Sequence, residues 1–339
     1  MGNTMRALVC AEPGKLALGE RERPGAAREG WALVDVAHVG ICGTDYHIFE
    51  GKHPFLQYPR VMGHEVSGRV ARSARLPEGT PVVINPYVSC GTCAACRKGR
   101  FNCCMRIEVL GVHRDGALCE RIEVPEGNLI PAGDLPLRDA AMVEFLAIGA
   151  HAVRRSQTSE GRALVVGAGP IGLGTALFAK LAGLEVAIMD PLQERLDFAT
   201  EALGLPEAVV ADARRAERVR EMTAGDGFEV VFDATGHPAS MQAGFADVGH
   251  GGSLVLVSVV TGDITFSDPE FHKREMRLVG SRNALAADFE HVMTSIRAGR
   301  VPTDRLATHG TTLAEAADRI PHWAHDKKGL VKAIVEVAT

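Results

Sequence analysis

Apolar and polar positions alternate on two different scales along this chain. Before about residue 153, apolar residues come in short β-like stretches at 32–38, 66–70, 81–84 and 117–124, separated by Gly, Pro and Asp-Gly turns. Short runs bounded in this way predict strands, and Arg114-Asp115-Gly116-Ala117 has the composition of a hairpin turn. Together they predict a small antiparallel, barrel-like domain over 1–153. From about Ala163 a longer rhythm takes over. Strands at 163–166, 185–189, 208–211, 228–233, 253–258 and 277–280 alternate with helical runs at 173–182, 214–223 and 238–248. That alternation predicts an α/β unit with a doubly wound parallel sheet over 154–285. Residues 137–157 predict one long helix bridging the two halves. The last stretch, 286–339, offers a helix and a strand at 331–337 that return to complete the first domain. The apolar run 254–260 reads either as a buried strand or as an edge that pairs between subunits.

The first strand of the second half runs straight into Gly167-Ala-Gly169-Pro170-Ile171-Gly172. A lone G-x-G-x-x-G is weak evidence, but here a strand precedes it, a helix follows, and the next strand ends at Asp190. Gly167 suits the tight turn, Gly169 lets the backbone approach a pyrophosphate, and Gly172 lets the helix pack closely. The helix N-terminus then offers unpaired N–H groups to phosphate. A carboxylate at Asp190 accepts hydrogen bonds from ribose hydroxyls and repels a 2′-phosphate, and Pro191-Leu192-Gln193 brings no arginine, which favours NAD over NADP. Asp190 also reads as a cap for a helix beginning at Pro191. Thr235, in Asp233-Ala-Thr-Gly236 at the end of the fourth strand, is a further cofactor contact or simply part of a turn.

Eight cysteines add a second chemistry. Cys90, Cys93, Cys96 and Cys104 read C-x2-C-x2-C-x7-C, and four thiolates close a tetrahedral shell around zinc, which marks a structural site. The neighbouring Cys103 is set aside, since adjacent residues do not easily face one metal. Cys10 and Cys119 fall in strand-like segments and read as small buried residues. Cys42, His64 and a carboxylate form a mixed donor set from separated segments, which leaves a position open and marks a catalytic zinc. Two zinc ions with different roles are therefore expected.

Composition narrows the partners. With 46% hydrophobic and 23% charged residues the 339-residue chain is of globular type, and a net charge of −5 gives no electrostatic case for nucleic acid or anionic membrane. No apolar run approaches the ~20 residues of a membrane span. The opening MGNTMRALVC lacks an apolar signal segment, so a reducing cytoplasm is expected. Partners are expected to be small molecules and further copies of the chain, as a dimer or tetramer.

These motifs resemble the zinc-dependent medium-chain dehydrogenase/reductase superfamily over essentially the whole chain. The matching residues are Gly40-Ile-Cys42-Gly-Thr44-Asp45, Gly63-His64-Glu65, the four-cysteine loop, Val143-Glu144 and Gly167-Ala-Gly-Pro-Ile-Gly172. Within it the chain is similar to polyol and sugar-acid dehydrogenases, through Tyr58-Pro-Arg-Val61, Leu110-Gly-Val-His113, Ala150-His-Ala-Val-Arg-Arg155, Phe266-Ser-Asp-Pro-Glu-Phe-His-Lys273 and Gly280-Ser-Arg-Asn-Ala284.

The resemblance implies a GroES-like catalytic domain beside a Rossmann domain. It implies Cys42 and His64 as zinc ligands, with Glu65 and Glu144 sharing the roles of third ligand and partner of the bound water. Glu65 is placed slightly ahead, because the family usually has proline after the second glutamate and this chain has Phe145. Thr44 and His47 fall where the family runs a proton relay, a role suited to an imidazole. The substrate class implied is an aldonate such as L-galactonate or L-gulonate, oxidised at C5 to a keto-uronate, with polyol and threonine-type dehydrogenases as alternatives. An idle NAD- or zinc-binding regulator is the non-enzymatic alternative. Arg282 suits a substrate carboxylate, since guanidinium binds carboxylate through two parallel bonds, and His113, Lys273 and Asn283 are further contacts.

Overall fold

The computed structural model describes residues 4–53 and 56–337. The chain divides into two compact units, Met1–Glu144 with Leu285–Thr339, and Phe145–Ala284.

The first unit is built on a seven-stranded sheet. Trp31–Ile41 lies at its centre, paired antiparallel with Glu65–Arg72 on one side and Ala333–Glu336 on the other. Pro81–Ile84 and Leu129–Pro131 extend one flank, and His309–Thr312 the other. Inward positions of these strands (Val34, Val36, Val39, Val66, Val82, Val335) meet Ile320 and Trp323 of the helix Ala316–His325 in one apolar core. The sequence expectation of β-rich architecture is met, and the final segment, expected to offer one helix and one strand, contributes three helices and two strands to this unit.

Two local expectations change. The strand expected at 117–124 covers only Arg121–Pro125, and no hairpin closes at Arg114–Ala117. The backbone N–H groups of Gly116, Ala117 and Leu118 donate instead to the carbonyls of Val61, Gly63 and Met62. The Asp-Gly turn thus braces the segment that carries His64 rather than joining two strands. The helix expected at 137–157 is two helices, Leu137–Ala140 and Val143–Ser156, with Ala141 and Met142 buried at the turn between them. The apolar run there reflects burial on all sides, and periodicity cannot distinguish that from helical continuity. Gln157 then adopts a left-handed φ of 57° and ends the second helix at Ser156.

The second unit is a six-stranded, wholly parallel sheet. Its order runs Glu207–Val210, Glu185–Asp190, Arg162–Val166, Phe228–Asp233, Val248–Leu256, Arg277–Gly280. Such an order reverses beside its first strand, and ligands bind at that switch point, beyond the carboxyl ends of the strands. The near-continuous apolar runs of Leu164, Val166, Ala187, Met189, Val231 and Leu254 fill its core, as strands covered on both faces require. Leu254, Val255 and Leu256 lie in a strand paired on both sides, so that part of the run is a buried strand and not an edge, whereas the run beyond it leaves the sheet and Val259 is 92% exposed.

Candidate active site

Cys42 follows the central strand and caps the seven-residue helix Gly43–Phe49. His64 precedes the strand Glu65–Arg72, outside the regular ladder, so His64 and Glu65 need not alternate across a pleat. Ligand atoms of Cys42, His64 and Glu65 lie within 4.8 Å of one another. Two glycines make the approach feasible. A Cβ at Gly40 would stand 2.1 Å from Oε2 of Glu65, and one at Gly63, whose φ is 92°, would strike Val39. The two segments are joined by Asp45, which is fully buried. Its Oδ2 accepts from Cys42 N at 2.9 Å and its Oδ1 from Gly63 N at 3.1 Å.

The carboxylates are held by partners that sequence reasoning did not single out. Lys332 Nζ lies 2.6 and 2.8 Å from the two oxygens of Glu65 and donates to the Ile41 carbonyl at 3.2 Å. The Tyr87 hydroxyl donates to Oε1 of Glu144, while Oε2 of Glu144 is buried without a hydrogen-bond partner. Burial pushes the Glu144 carboxyl up to about 6, against the opposing pull of His64. Glu144 does not join the atoms that converge at Cys42, His64 and Glu65. Asp45, Cys42 and Glu144 outweigh the desolvation of His64 and hold its pKa well above the usual value, so negative charge is concentrated at one buried point. A thiolate, an imidazole with an orphaned Nδ1 and a carboxylate fit a zinc ion with a position left open.

Ligand atoms of Cys90, Cys93, Cys96 and Cys104 also lie within 4.8 Å of one another. Sulfur separations of 4.0 Å (Cys90–Cys96), 3.5 Å (Cys93–Cys96) and 3.9 Å (Cys93–Cys104) sit near the ~3.8 Å edge of a tetrahedron with ~2.3 Å Zn–S bonds. Backbone N–H groups of Cys90 and Arg106 donate to the Cys104 sulfur at 3.2 and 3.3 Å. Amides of Thr92 and Cys93 hold the Cys90 thiol down to about 5. The donors fit a closed Zn(Cys)4 shell, and Cys103 is exposed beside it.

In the second unit Gly167 has a φ of 99°, and a Cβ at Gly172 would stand 1.7 Å from the Gly167 carbonyl, so neither position admits a side chain without rearrangement. Gly169 is the N-cap of the helix Pro170–Leu181, with Pro170 and Ile171 in its first turn, and has open space where a Cβ would point. That is the cradle a pyrophosphate requires. Asp190 is buried, and its oxygens accept from Ala168 N at 2.8 Å and Leu192 N at 2.9 Å. It therefore braces the glycine loop, while the following helix starts at Gln193 rather than Pro191. Arg195 stands 3.5 Å from the same carboxylate, two residues beyond the stretch read as arginine-free. Thr235 is exposed, and its N–H and hydroxyl both donate to Oδ1 of Asp233.

The remaining candidates divide between the units. Thr44 Oγ1 is 3.9 Å from the Cys42 sulfur, and His47 is exposed in the last turn of the same helix. His113 is exposed, with Nδ1 accepting from Val109 N at 3.0 Å. Arg282 is exposed after the last strand, and Asn283 adopts a left-handed φ of 53°. Lys273 is solvated on the short helix Asp268–Lys273, with Nζ 3.9 Å from Glu270. Lys332 had a legible signal, a lone lysine amid Val331-Lys332-Ala-Ile-Val. Tyr87 had only its place three residues before Cys90.

Residues 28–134 match the alcohol dehydrogenase GroES-like domain, and residues 170–298 match the zinc-binding dehydrogenase family. The chain is 39% identical to L-galactonate-5-dehydrogenase of Escherichia coli K12 over 98% of its own length and 99% of that protein's. In structure it is similar to E. coli CFT073 RspB, a dehydrogenase solved with NADH, with a TM-score of 0.92 at 29% identity, covering 99% of this chain and 100% of that one. It is also similar to L-idonate 5-dehydrogenase of E. coli K-12, with a TM-score of 0.89 at 25% identity, covering 98% of each chain.

Proposed function

Because the chain belongs to the zinc-type medium-chain alcohol dehydrogenase family, and is an enzyme of its sugar and polyol branch, we propose that it oxidises a sugar acid with NAD. The substrate we infer is an aldonate of the L-galactonate or L-gulonate type, oxidised at the C5 hydroxyl to a keto-uronate. One observation carries the substrate class: the 39% identity to L-galactonate-5-dehydrogenase extends over nearly the full length of both chains. The likeness to L-idonate 5-dehydrogenase supports it, since that relative is also named for oxidising an aldonate at C5.

In this reading Cys42, His64 and Glu65 hold the catalytic zinc, and Cys90, Cys93, Cys96 and Cys104 hold a second, structural one. Zinc held by these residues would supply Lewis acidity toward the substrate hydroxyl, and NAD held at the glycine loop would supply the hydride acceptor. The chain's own groups do the rest. Gly167, Gly169 and Gly172 shape the loop for the pyrophosphate, with Pro170 and Ile171 opening its helix, and Asp190 and Thr235 face the rest of the cofactor. Thr44, beside the Cys42 sulfur, receives the hydroxyl proton. His47, one helical turn on, passes it to water, as the spacing of three residues on one helix face allows. Arg282 takes the substrate carboxylate, with His113, Asn283 and Lys273 as further polar contacts. No helix of the described residues is long and apolar enough to cross a membrane.

Initial rates of NADH formation by zinc-replete protein test this directly. The panel contains L-galactonate, L-gulonate, their C5 epimers, sorbitol, galactitol and threonine, with NADP run in parallel. Turnover of aldonates alone, with Arg282→Ala raising their KM most, is the expected result. Preference for polyols with inert aldonates would overturn the substrate class and leave the zinc and NAD assignments standing.

A further inference from the structure

The catalytic unit contains a surplus of ligands. Cys42, His64, Glu65 and Glu144 are four groups that bind zinc, and a four-coordinate shell made from all of them would be as closed as the four-cysteine site. A closed shell excludes the substrate, so an open position requires that one carboxylate be kept out. We propose that Tyr87 is the residue that does this: by holding Oε1 of Glu144 it restrains that carboxylate from entering the shell and keeps the fourth position free. This rests on the reading of Cys42, His64 and Glu65 as the zinc ligands.

Three observations support the restraint. Glu144 is buried yet stands apart from the three atoms that converge, with Oε1 engaged by the Tyr87 hydroxyl. Its other oxygen has no hydrogen-bond partner among the described residues, so the phenol supplies the side-chain hydrogen bond that holds the group back from a nearby cation. Tyr87 itself is built to stay in place. Its N–H donates to Oδ1 of Asn85 at 3.1 Å, and its carbonyl accepts from Nδ2 of Asn128 at 3.2 Å. Its strand, Tyr87–Val88, pairs with Glu108–Val109, and Phe289 packs edge-on against its ring with centroids 6.5 Å apart. The two strands flank the four-cysteine loop on either side, so the structural zinc site fixes the platform from which the phenol reaches Glu144.

Glu65 is the carboxylate that stays in the shell on this reading. Lys332 balances its charge and holds both oxygens in place, which orients a ligand without removing it, as outer partners of metal-bound carboxylates do. Tyr87 acts on the other carboxylate, and through geometry rather than charge.

The test uses the full chain with zinc kept in the four-cysteine site and Co(II) placed at the Cys42 site. Tyr87→Phe retains the ring and its packing, so an unchanged melting temperature is expected. The freed Glu144 should join the metal: the visible Co(II) bands change shape and intensity, and chelator competition reads a dissociation constant lower by about tenfold, the low end of the range by which outer partners move metal affinity. Turnover falls at the same time. Tighter metal with lost activity is a combination that a merely structural defect does not produce. Glu144→Gln alone should leave the Co(II) bands near those of the parent, and Tyr87→Phe combined with Glu144→Gln should return bands and affinity to them. The proposal is overturned if Tyr87→Phe binds Co(II) as the parent does, or if its changes persist in the double variant. Cys42→Ser separates the two levels. Loss of one metal equivalent upholds the ligand reading on which this rests, whereas retention of both overturns that reading and the restraint together.

Discussion

Lys332 and Glu65 form a buried ion pair, with Nζ 2.6 and 2.8 Å from the two carboxylate oxygens and both side chains almost fully withdrawn from water. Removing one partner strands a buried charge, at a cost of about 3–5 kcal/mol. Lys332→Met should lower stability by that amount in urea unfolding, and Lys332→Met with Glu65→Gln should recover part of it. The pH dependence has a definite sign. Burial works against the ammonium, but Glu65 and Cys42 outweigh it and raise the Lys332 pKa above the usual lysine value. Stability from a raised lysine is fully present below its unfolded pKa and is lost as pH climbs through the folded one. The deficit of Lys332→Met should therefore be flat between about pH 6 and about pH 9. A deficit that vanished within that window would show that the pair is not the source.

Asp45 ties Cys42 to Gly63 through two backbone hydrogen bonds, so one side chain sets the spacing of two ligand-bearing segments. Asp45→Ala removes the capping-box bond from Asp45, third residue of the helix, back to the N–H of its N-cap Cys42, which should lower the melting temperature. It should also weaken the Cys42-site metal by about 10–100-fold, as loss of an outer partner generally does. Chelator competition measures the second effect separately from the first. A normal metal constant with a lowered melting temperature would reduce Asp45 to a cap.

Much of this arrangement was legible before any coordinates, and the reasons differ by residue. The four-cysteine loop and the glycine loop are local: their spacing encodes their geometry, and the structure brings those residues together as the spacing implied. The parallel sheet followed from apolar runs of strand length alternating with helices. What stayed hidden was long-range. Lys332 is 267 residues from Glu65 and Tyr87 is 57 from Glu144, and no periodicity reports which buried polar groups will meet. Leu254 and its neighbours left two readings open because a strand buried on both faces and an apolar edge strand have the same composition, and pairing on both sides selects the first for Leu254–Leu256. Residues 137–157 misled for a related reason, since total burial erases the polar face that would have marked the break at Ala141.

Thiol reactivity offers a separate check on the zinc sites. Burial pushes the Cys10 thiol up to about 11 and the Cys119 thiol up to about 12, so at pH 8 only about one part in a thousand or less of either is thiolate, the form that reacts. Cys103 is exposed. Iodoacetamide on zinc-replete protein at pH 8 should therefore modify Cys103 first and leave Cys10 and Cys119 untouched. Chelation should then add Cys90 and Cys93, whose thiols backbone amides hold down to about 5 and about 7, together with Cys42 released from the other metal, to the modified set by peptide mass mapping. Rapid labelling of Cys90 and Cys93 without a chelator would count against a Zn(Cys)4 site.

Cofactor choice should turn on two residues rather than one. On the proposed reading Asp190 opposes a 2′-phosphate by charge, while Arg195, 3.5 Å from its carboxylate, is a guanidinium of the kind that binds phosphate. Asp190→Ser removes the repulsion and leaves Arg195 uncountered, and the serine hydroxyl can still accept one of the two backbone hydrogen bonds that brace the glycine loop. A hydrogen bond to a charged group is worth about 1.5–3 kcal/mol, so kcat/KM for NADP relative to NAD should rise by about 10–100-fold. Arg195→Ala in the parent should leave NAD use largely intact, because the ribose hydroxyls need an acceptor and not a cation. Combined with Asp190→Ser it should abolish most of the NADP gain. Steady-state rates with both cofactors across the four proteins decide the matter. If Asp190→Ser gains NADP activity equally with or without Arg195, charge repulsion by Asp190 is the whole of the selectivity. If it gains none, the preference is set elsewhere in the loop.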